Sequence, residues 1–537
     1  MRRPRLRRWL LRIAGVCLAL FIYIAWPGRS TLTISEETTF VTGPLDEHGF
    51  VDYPTALNER LSKGITPENN ANVLIWRALG PHPEKGTMPP RYFQWLGIES
   101  PPEQGDYFVS WEDYFEANLK IAPDDILELY PQGNDWKEFW NKRIHKTTAW
   151  PWASAELPEL ARWLKRNEKA LALTAEASKK TQYYNPLVPR STDPGSQRLI
   201  SSLLPQVQKG RGLARAMTTR AMQHLANGKY GEAWADLLVV QRLGRLLANG
   251  ATLIEHLVGI AVVAISSNAM ATFVGHAKLT SNEWLERLDE LKKLPALPSL
   301  ELKLKLGERF MTLDSLTSIV CYGTQNLDRG REEFFASPSP NGWLDSLFTN
   351  NIHWDQGFRN VNSIFDRLTA ASRLPDRAGR KQEFRNVFAE VVGVQGQAFE
   401  MSYLEKNFLS KDRRGELVTS IMLGWMLRGV ETVQNAWERI NQIQSNLQVA
   451  VALAAYRADH ARFPDRLESL SPNYLDKIPG DIFSGKPLIY RPTEEGYLLY
   501  SVGVNEIDEG GHWTDDEPRG DDPRIRMPLR EPRDSGR

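Results

Sequence analysis

The sequence has few cysteines, no excess charge of either sign and no long basic stretch outside its first residues. Two of its 537 residues are cysteine, Cys17 and Cys321, and Cys17 lies in an N-terminal apolar run. The rest of the chain therefore has one thiol and cannot form an intramolecular disulfide. Lys plus Arg and Asp plus Glu both number 66, so no overall positive field predicts a nucleic-acid partner.

The chain also lacks the motifs of common catalytic sites. It contains no G-x-S-x-G, H-E-x-x-H, Walker A, C-x-x-C or dinucleotide-binding pattern. Glu232 and Asp236 lie four residues apart on one predicted helix face, and could share a site with Glu255 or His256. Ion pairs with nearby arginines (Arg242, Arg245) or helix caps are the simpler interpretation. We predict no catalytic residues, and the sequence leaves open whether the protein is an enzyme.

The N-terminus predicts a membrane anchor. Residues 1–8 are rich in arginine, and residues 9–26 are apolar apart from Arg12. That run spans a bilayer if Arg12 reaches the headgroups. The positive-inside rule then predicts a cytoplasmic basic segment at residues 1–8, an inner-membrane helix at 9–26 and an extracytoplasmic bulk. A cleaved signal peptide is the alternative, but residues 23–27 offer no small-x-small cleavage site.

The middle of the chain predicts a mixed region followed by a helical domain. Residues 27–156 are rich in loops, with a predicted hairpin in TTFVTGPLDEHGFVDY. A predicted helix follows, with Thr66 as its N-cap, Pro67 at its first position and Gly80 after its end. Residues 157–430 have helical periodicity almost throughout. The apolar segment 251–276 is interrupted by polar residues, so we expect a buried core helix rather than a second membrane span.

Tryptophan is frequent in the first third of the chain. This set comprises Trp95, Trp111, Trp136, Trp140, Trp150 and Trp152. Core packing explains such residues most simply. The alternative is a glycan or peptide hydrolase of the envelope, in which acids such as Asp113, Glu116 or Asp135 would converge in a tryptophan-lined groove.

The last hundred residues predict an α+β module, residues 431–511. A long helix carries apolar residues at Ile440, Ile443, Leu447 and Val451. A short helix through Leu470 follows, and then two strands, PLIYR and YLLYSVG, joined by a hairpin-sized loop. Residues 512–537 are predicted to be an acidic tail rich in proline and arginine, with Asp521 and Asp522 in solvent. The predicted fold is mainly α, with an N-terminal transmembrane helix, an extracytoplasmic helical bundle and this C-terminal module.

This module resembles the periplasmic part of the type II secretion system major pseudopilin. The segments ALAAYRADHARFP, DIFSGKPLIY and YLLYSVGVN match patterns of that family. The resemblance implies calcium bound by the loop after the last of these segments, with Asp508, Asp515 and Asp516 as ligands and Glu509 or Asn505 in reserve. A plain acidic loop remains the alternative. The chain differs from a pseudopilin in the missing leader and helix-opening Glu and in about 400 intervening residues.

Most of the chain also resembles large envelope proteins of planctomycete-type bacteria that end in this module. The likeness includes ALNERLSKGITPENNANVLIWRALGP and GKYGEAWADLLVVQRLGRLL, and it implies no activity. We therefore predict a membrane-anchored envelope protein with a non-catalytic binding or assembly role and an envelope protein as its partner. No nucleic acid is expected.

Overall fold

A computed structural model describes residues 30–83, 87–119, 135–190, 198–202, 204–322, 352–397, 410–514 and 516–531. The chain forms two compact units, each drawn from three separate stretches. The first unit comprises Met1–Lys63, Pro186–Leu203 and Leu300–Glu431, and the second comprises Gly64–Asn185, Leu204–Ser299 and Thr432–Arg537. The predicted anchor, residues 9–26, lies outside the described residues and stays a prediction.

The fold is mainly helical, as predicted, with one small antiparallel sheet near the C-terminus. In chain order the helices are α1 (Tyr53–Leu61), α2 (Ala71–Leu79), α3 (Pro90–Leu96), α4 (Trp111–Leu119), α5 (Asp135–Ala149), α6 (Pro158–Arg166), α7 (Glu168–Ala177), α8 (Pro205–Ala226), α9 (Tyr230–Ala248), α10 (Leu253–His276), α11 (Ser281–Lys292), α12 (Arg309–Tyr322), α13 (Asp355–Ser372), α14 (Arg377–Gln397), α15 (Lys411–Met426) and α16 (Val430–His460).

In the first unit, α12 packs against α1, while α13, α14 and α15 pack on one another. A π-helical stretch, Lys303–Glu308, leads directly into α12. Arg309 is 1% exposed, and its guanidinium lies 2.5 Å from Asp366 and over the ring of Phe40. The carboxylate and the aromatic face together compensate the buried charge.

The core of the second unit is built on α8, α9 and α10, which pack against one another. A capping box begins α10, since the side chains of Thr252 and Glu255 each accept a bond from the other's backbone N–H. Among the described residues, α10 is the one helix long and apolar enough to cross a membrane. Of its most apolar window, 67% is buried inside the unit, in agreement with the predicted core helix.

The C-terminal module of the second unit holds α16 and a three-stranded antiparallel sheet in the order β1–β2–β3. The strands are Ile489–Pro492, Tyr497–Tyr500 and Arg524–Met527. Leu499 of β2 faces Ile525 of β3, and both side chains are buried with Leu447 and Leu453 of α16 in one core. Both predicted strands are present, although shorter than predicted. The third strand lies where the sequence analysis predicted a solvated tail.

Two further expectations need correction. The helix predicted from Thr66 begins at Ala71, because Asn70 rather than Thr66 accepts the capping bond from the N–H of Asn72. Within the predicted hairpin of residues 38–53, a single antiparallel bridge pairs Leu45 with Val51. A Gly-containing turn between apolar residues thus predicted more pairing than the chain forms there.

Candidate metal centre

The loop between β2 and β3 is organised by carboxylates that accept backbone hydrogen bonds. Asp522 lies two residues before β3 and is fully buried. Its Oδ2 accepts bonds from the backbone N–H groups of Glu509 at 3.0 Å and Gly511 at 2.8 Å. Its own N–H donates to the carbonyl of His512 at 3.0 Å. These bonds hold the first part of the loop, around Glu509 and Gly511, against Asp522, from which the chain continues into β3.

Asp521 and Glu509 complete the arrangement. Oδ2 of Asp521 accepts bonds from the N–H groups of Val504 at 2.9 Å and Asn505 at 3.2 Å. Oε2 of Glu509 accepts the N–H of Asp521 at 2.6 Å. Each carboxylate therefore has one oxygen fixed by the backbone, which holds the side chain in one orientation.

We call Glu509, Asp521 and Asp522 the acidic triad. One carboxylate oxygen from each residue lies within 4.8 Å of the others. The Oδ1 atoms of Asp521 and Asp522 are buried and have no hydrogen-bond partner among the described residues. An unpaired buried carboxylate oxygen is costly unless a cation or a donor satisfies it. Oxygen ligands on a glycine-containing loop are those that a hard cation such as Ca²⁺ prefers.

The electrostatics of the triad also favour a positive charge. Burial, together with the charges of Glu509 and Asp508, raises the pKa of Asp522 to about 6, although bonds from two backbone N–H groups lower it. Three carboxylates within a few ångströms repel one another. A divalent cation would remove that repulsion and satisfy the unpartnered oxygens together.

The predicted ligands lie at other positions in the loop. Asp508 accepts bonds from the Tyr500 hydroxyl and the Gly510 N–H, both at 2.9 Å. Asp516 forms an ion pair with Arg524 and accepts the N–H of Trp513. Neither belongs to the acidic triad, and Asp515 lies outside the described residues. Of the reserve ligands, Glu509 is in the triad, whereas the Asn505 side chain accepts the Ile507 N–H.

The prediction that Asp521 and Asp522 lie in solvent is wrong for Asp522, which is buried, while Asp521 is half-buried. Residues 524–527 return the chain to the sheet, and this return buries Asp522. The alternation Arg524-Ile525-Arg526-Met527 is a strand signal that the sequence contains. The prolines and charged residues around this short alternation led to the prediction of a tail instead of a strand.

The triad loop is attached to the long helix through its buried polar residues. The side-chain amide of Asn446 on α16 donates to the carbonyl of Pro523 at 2.8 Å. Asp481, also buried, accepts bonds from the Ser501 hydroxyl at 2.8 Å and the Val502 N–H at 3.1 Å. The loop is therefore linked to α16, and the residues directly after β2 are fixed by the buried Asp481.

The other predicted candidates have structural partners. Asp236 pairs with Arg220 at 2.8 Å rather than with Arg242 or Arg245, and Glu255 caps α10. The Asp113 carboxylate accepts the Ser110 hydroxyl at 2.7 Å.

Among the tryptophans, Trp111 and Trp152 lie in the core of the second unit. Packing thus accounts for these two, while the side chains of Asp135, Trp136 and Trp140 lie outside the described residues.

Comparisons of the chain with protein-family models, with curated proteins and with solved structures found no match.

Proposed function

We propose that this protein is a membrane-anchored envelope protein with a non-catalytic binding or assembly role, whose C-terminal module is ordered by Ca²⁺ at the acidic triad. The observation that carries the proposal is the fully buried Asp522, whose Oδ1 has no hydrogen-bond partner among the described residues. Glu509 and Asp521 supply the neighbouring carboxylates. The anchor is supported by the basic and apolar N-terminal segments of the sequence.

The surroundings of the triad fit a structural role rather than a catalytic one. The loop connects two strands and bonds to α16 through Asn446. A cation there would fix the position of strand ends and helix, and would stabilise the surface that the module presents to a partner. Carbonyl and water oxygens would supply the additional ligands that Ca²⁺ requires.

The first test is the thermal unfolding of the detergent-solubilised full-length protein with Ca²⁺ and with a chelator. At a free Ca²⁺ concentration roughly 100-fold above Kd, linkage predicts about 2.7 kcal/mol of stabilisation. We expect Ca²⁺ to raise the unfolding temperature of the natural protein. Glu509→Gln and Asp522→Asn should abolish the increase, because each removes one charged ligand.

Glu517→Gln is the matched control, since Glu517 is an exposed acid of the same loop and lies outside the triad. It should keep the full Ca²⁺-dependent increase. Equal unfolding temperatures with Ca²⁺ and chelator in the natural protein would remove the metal from the proposal.

The same variants test the assembly role. Affinity purification from membranes of the native host should recover a definite envelope protein in Ca²⁺. The yield should fall with chelator or Glu509→Gln and persist in Glu517→Gln. Equal recovery with Ca²⁺, with chelator and with both variants would show that partner binding does not depend on the cation.

A further inference from the structure

The second unit contains a cleft of about 920 Å³ that the sequence analysis did not predict. It is bounded by the C-terminal ends of α10 and α16, the β1–β2 loop and the end of β3. Its volume falls in the range of small-ligand sites, about 300–1,000 Å³. The acidic triad is not among its lining residues.

Tyr497 lines this cleft and holds a polar group that lacks a partner. The residue is 1% exposed, and its hydroxyl makes no hydrogen bond with the described residues. Its ring packs edge-on against Phe463, with 4.9 Å between the ring centroids. Burial raises the pKa of Tyr497 well above its ordinary value, so the hydroxyl stays protonated and needs an acceptor.

Arg457 supplies a positive charge to the same cleft, and it contacts the same Phe463 ring as Tyr497. Its guanidinium lies 5.0 Å from the centre of the Phe463 ring, and its charge lowers the pKa of Tyr497 against the effect of burial. Arg457 forms no ion pair with any described carboxylate, and neither does Lys278 on the α10 side of the cleft. A protonated hydroxyl and a guanidinium together match a carboxylate.

The remaining lining favours a ligand with a single negative charge and an apolar body. Arg462 and Asp465 also line the cleft and pair with each other at 3.4 Å. Glu494 and Glu495 lie exposed in the β1–β2 loop at the cleft, and they would repel a dianion such as a phosphate monoester more strongly than a monoanion. Trp284 and Met527 contribute buried apolar side chains to the lining. An apolar group would gain stabilisation from contact with them.

We propose that this cleft binds a monocarboxylate with an apolar body, whose carboxylate accepts hydrogen bonds from the Tyr497 hydroxyl and the Arg457 guanidinium. The C-terminus of a peptide and a free fatty acid both offer this chemistry. Binding at the cleft does not depend on the acidic triad, so the two proposals can fail separately.

The test is calorimetric titration of the full-length protein in maltoside micelles with three probes. These are N-acetyl-leucyl-phenylalanine, its C-terminal amide and octanoate. We expect the amide to bind at least about tenfold more weakly than the acid, because it lacks the charge that strengthens both hydrogen bonds. Binding of the peptide acid identifies a peptide terminus, and binding of octanoate alone identifies a fatty acid; either result supports the site.

Variants assign the binding to the cleft. Tyr497→Phe removes only the unpartnered hydroxyl, and Arg457→Gln removes the charge; each should weaken acid binding about tenfold. Tyr183→Phe and Arg166→Gln are the matched controls, a buried tyrosine and an exposed arginine of the same unit outside the cleft lining. Equal binding of acid and amide, no binding of any probe, or an unchanged Tyr497→Phe would overturn the proposal.

Discussion

Asp314 in the first unit is a carboxylate that folding largely removes from water. Its side chain is 8% exposed, and Oδ2 accepts the N–H of Leu199 at 2.8 Å. Burial raises its pKa to about 7, while the Leu199 bond and the charge of Arg198 lower it and Asp52 raises it. Desolvation outweighs these compensating contacts, so the folded chain holds the Asp314 proton near neutral pH.

This shift predicts a pH-dependent stability. The unfolded pKa of aspartate is about 3.9, so the folded state binds the proton more tightly. The contribution of Asp314 is complete below about pH 4 and is lost as pH rises through about 7. Asp314→Asn keeps an acceptor for Leu199 without the titration. We expect the free energy of unfolding of the natural protein, relative to the variant, to fall by about 1–4 kcal/mol between pH 4 and pH 8.

Urea unfolding of both proteins across that pH range measures the difference. Glu36→Gln, a change at an exposed carboxylate of the same unit, should leave the pH profile of the natural protein unchanged. Parallel profiles for the natural protein and Asp314→Asn would contradict the assignment.

At the candidate site, the acidic triad lies in the predicted loop, but of the predicted residues only Glu509, a reserve ligand, belongs to it. Glu509 follows β2 closely, so a local argument reached it. Asp521 and Asp522 join it because β3 pairs with β2 and brings residues 12 and 13 positions later back to the same place. Asp516 is not part of the triad because it forms an ion pair with Arg524, which the pairing of β3 with β2 brings close to it. The sequence shows which side chains are acidic, but which of them lie next to one another depends on how the strands pair.

At the scale of elements, the contact between α9 and α10 depends on two glycines. A Cβ atom on Gly259 would collide with the backbone N of Ala248 and lie 2.5 Å from the carbonyl oxygen of Gly244. A Cβ on Gly244 would lie 2.6 Å from Cγ2 of Val263. Because backbone atoms cannot move aside as a flexible side chain can, the two helices would have to separate.

Gly259→Ala should therefore destabilise the protein by about 1–3 kcal/mol or more, despite the better helix propensity of alanine. Gly231→Ala is the control: Gly231 lies in the first turn of α9, and its added Cβ would meet nothing within 4 Å. That variant should be neutral or more stable by up to about 1 kcal/mol. Thermal unfolding compares the two, and equal unfolding temperatures would rule out close helix packing as the reason for Gly259.

Elements with a strong local signal were predicted best. The helix α16 was recognised by the spacing of its apolar residues, and α10 by an apolar segment that polar residues interrupt. β3 was missed because four residues flanked by prolines contain little local information. It is a strand because β2 provides its partner. The start of α2 was predicted too early because Asn70, four residues after Thr66, is the residue that caps the helix.

At the scale of the whole molecule, the helical class followed from periodicity, but the grouping of segments did not. Each compact unit takes residues from three stretches of chain. The predicted boundaries at residues 157 and 430 were placed where helical periodicity begins and where the C-terminal module begins. Long-range contacts decide which stretches share a core, and local periodicity carries little information about them.

The proposed membrane topology is the property of the whole chain that is most directly open to experiment. A reporter that is active only outside the cytoplasm, fused after Pro27, should be active and remain in the membrane fraction at the size of the intact fusion. Fusion after Arg8 should be inactive, because the apolar run of residues 9–26 would be missing. Replacement of Arg2, Arg3, Arg5, Arg7 and Arg8 with glutamine should lower the activity of the Pro27 fusion, since the basic segment sets the orientation. An inactive Pro27 fusion would contradict the topology. An active but shortened fusion that leaves the membrane would indicate a cleaved signal peptide in place of the anchor.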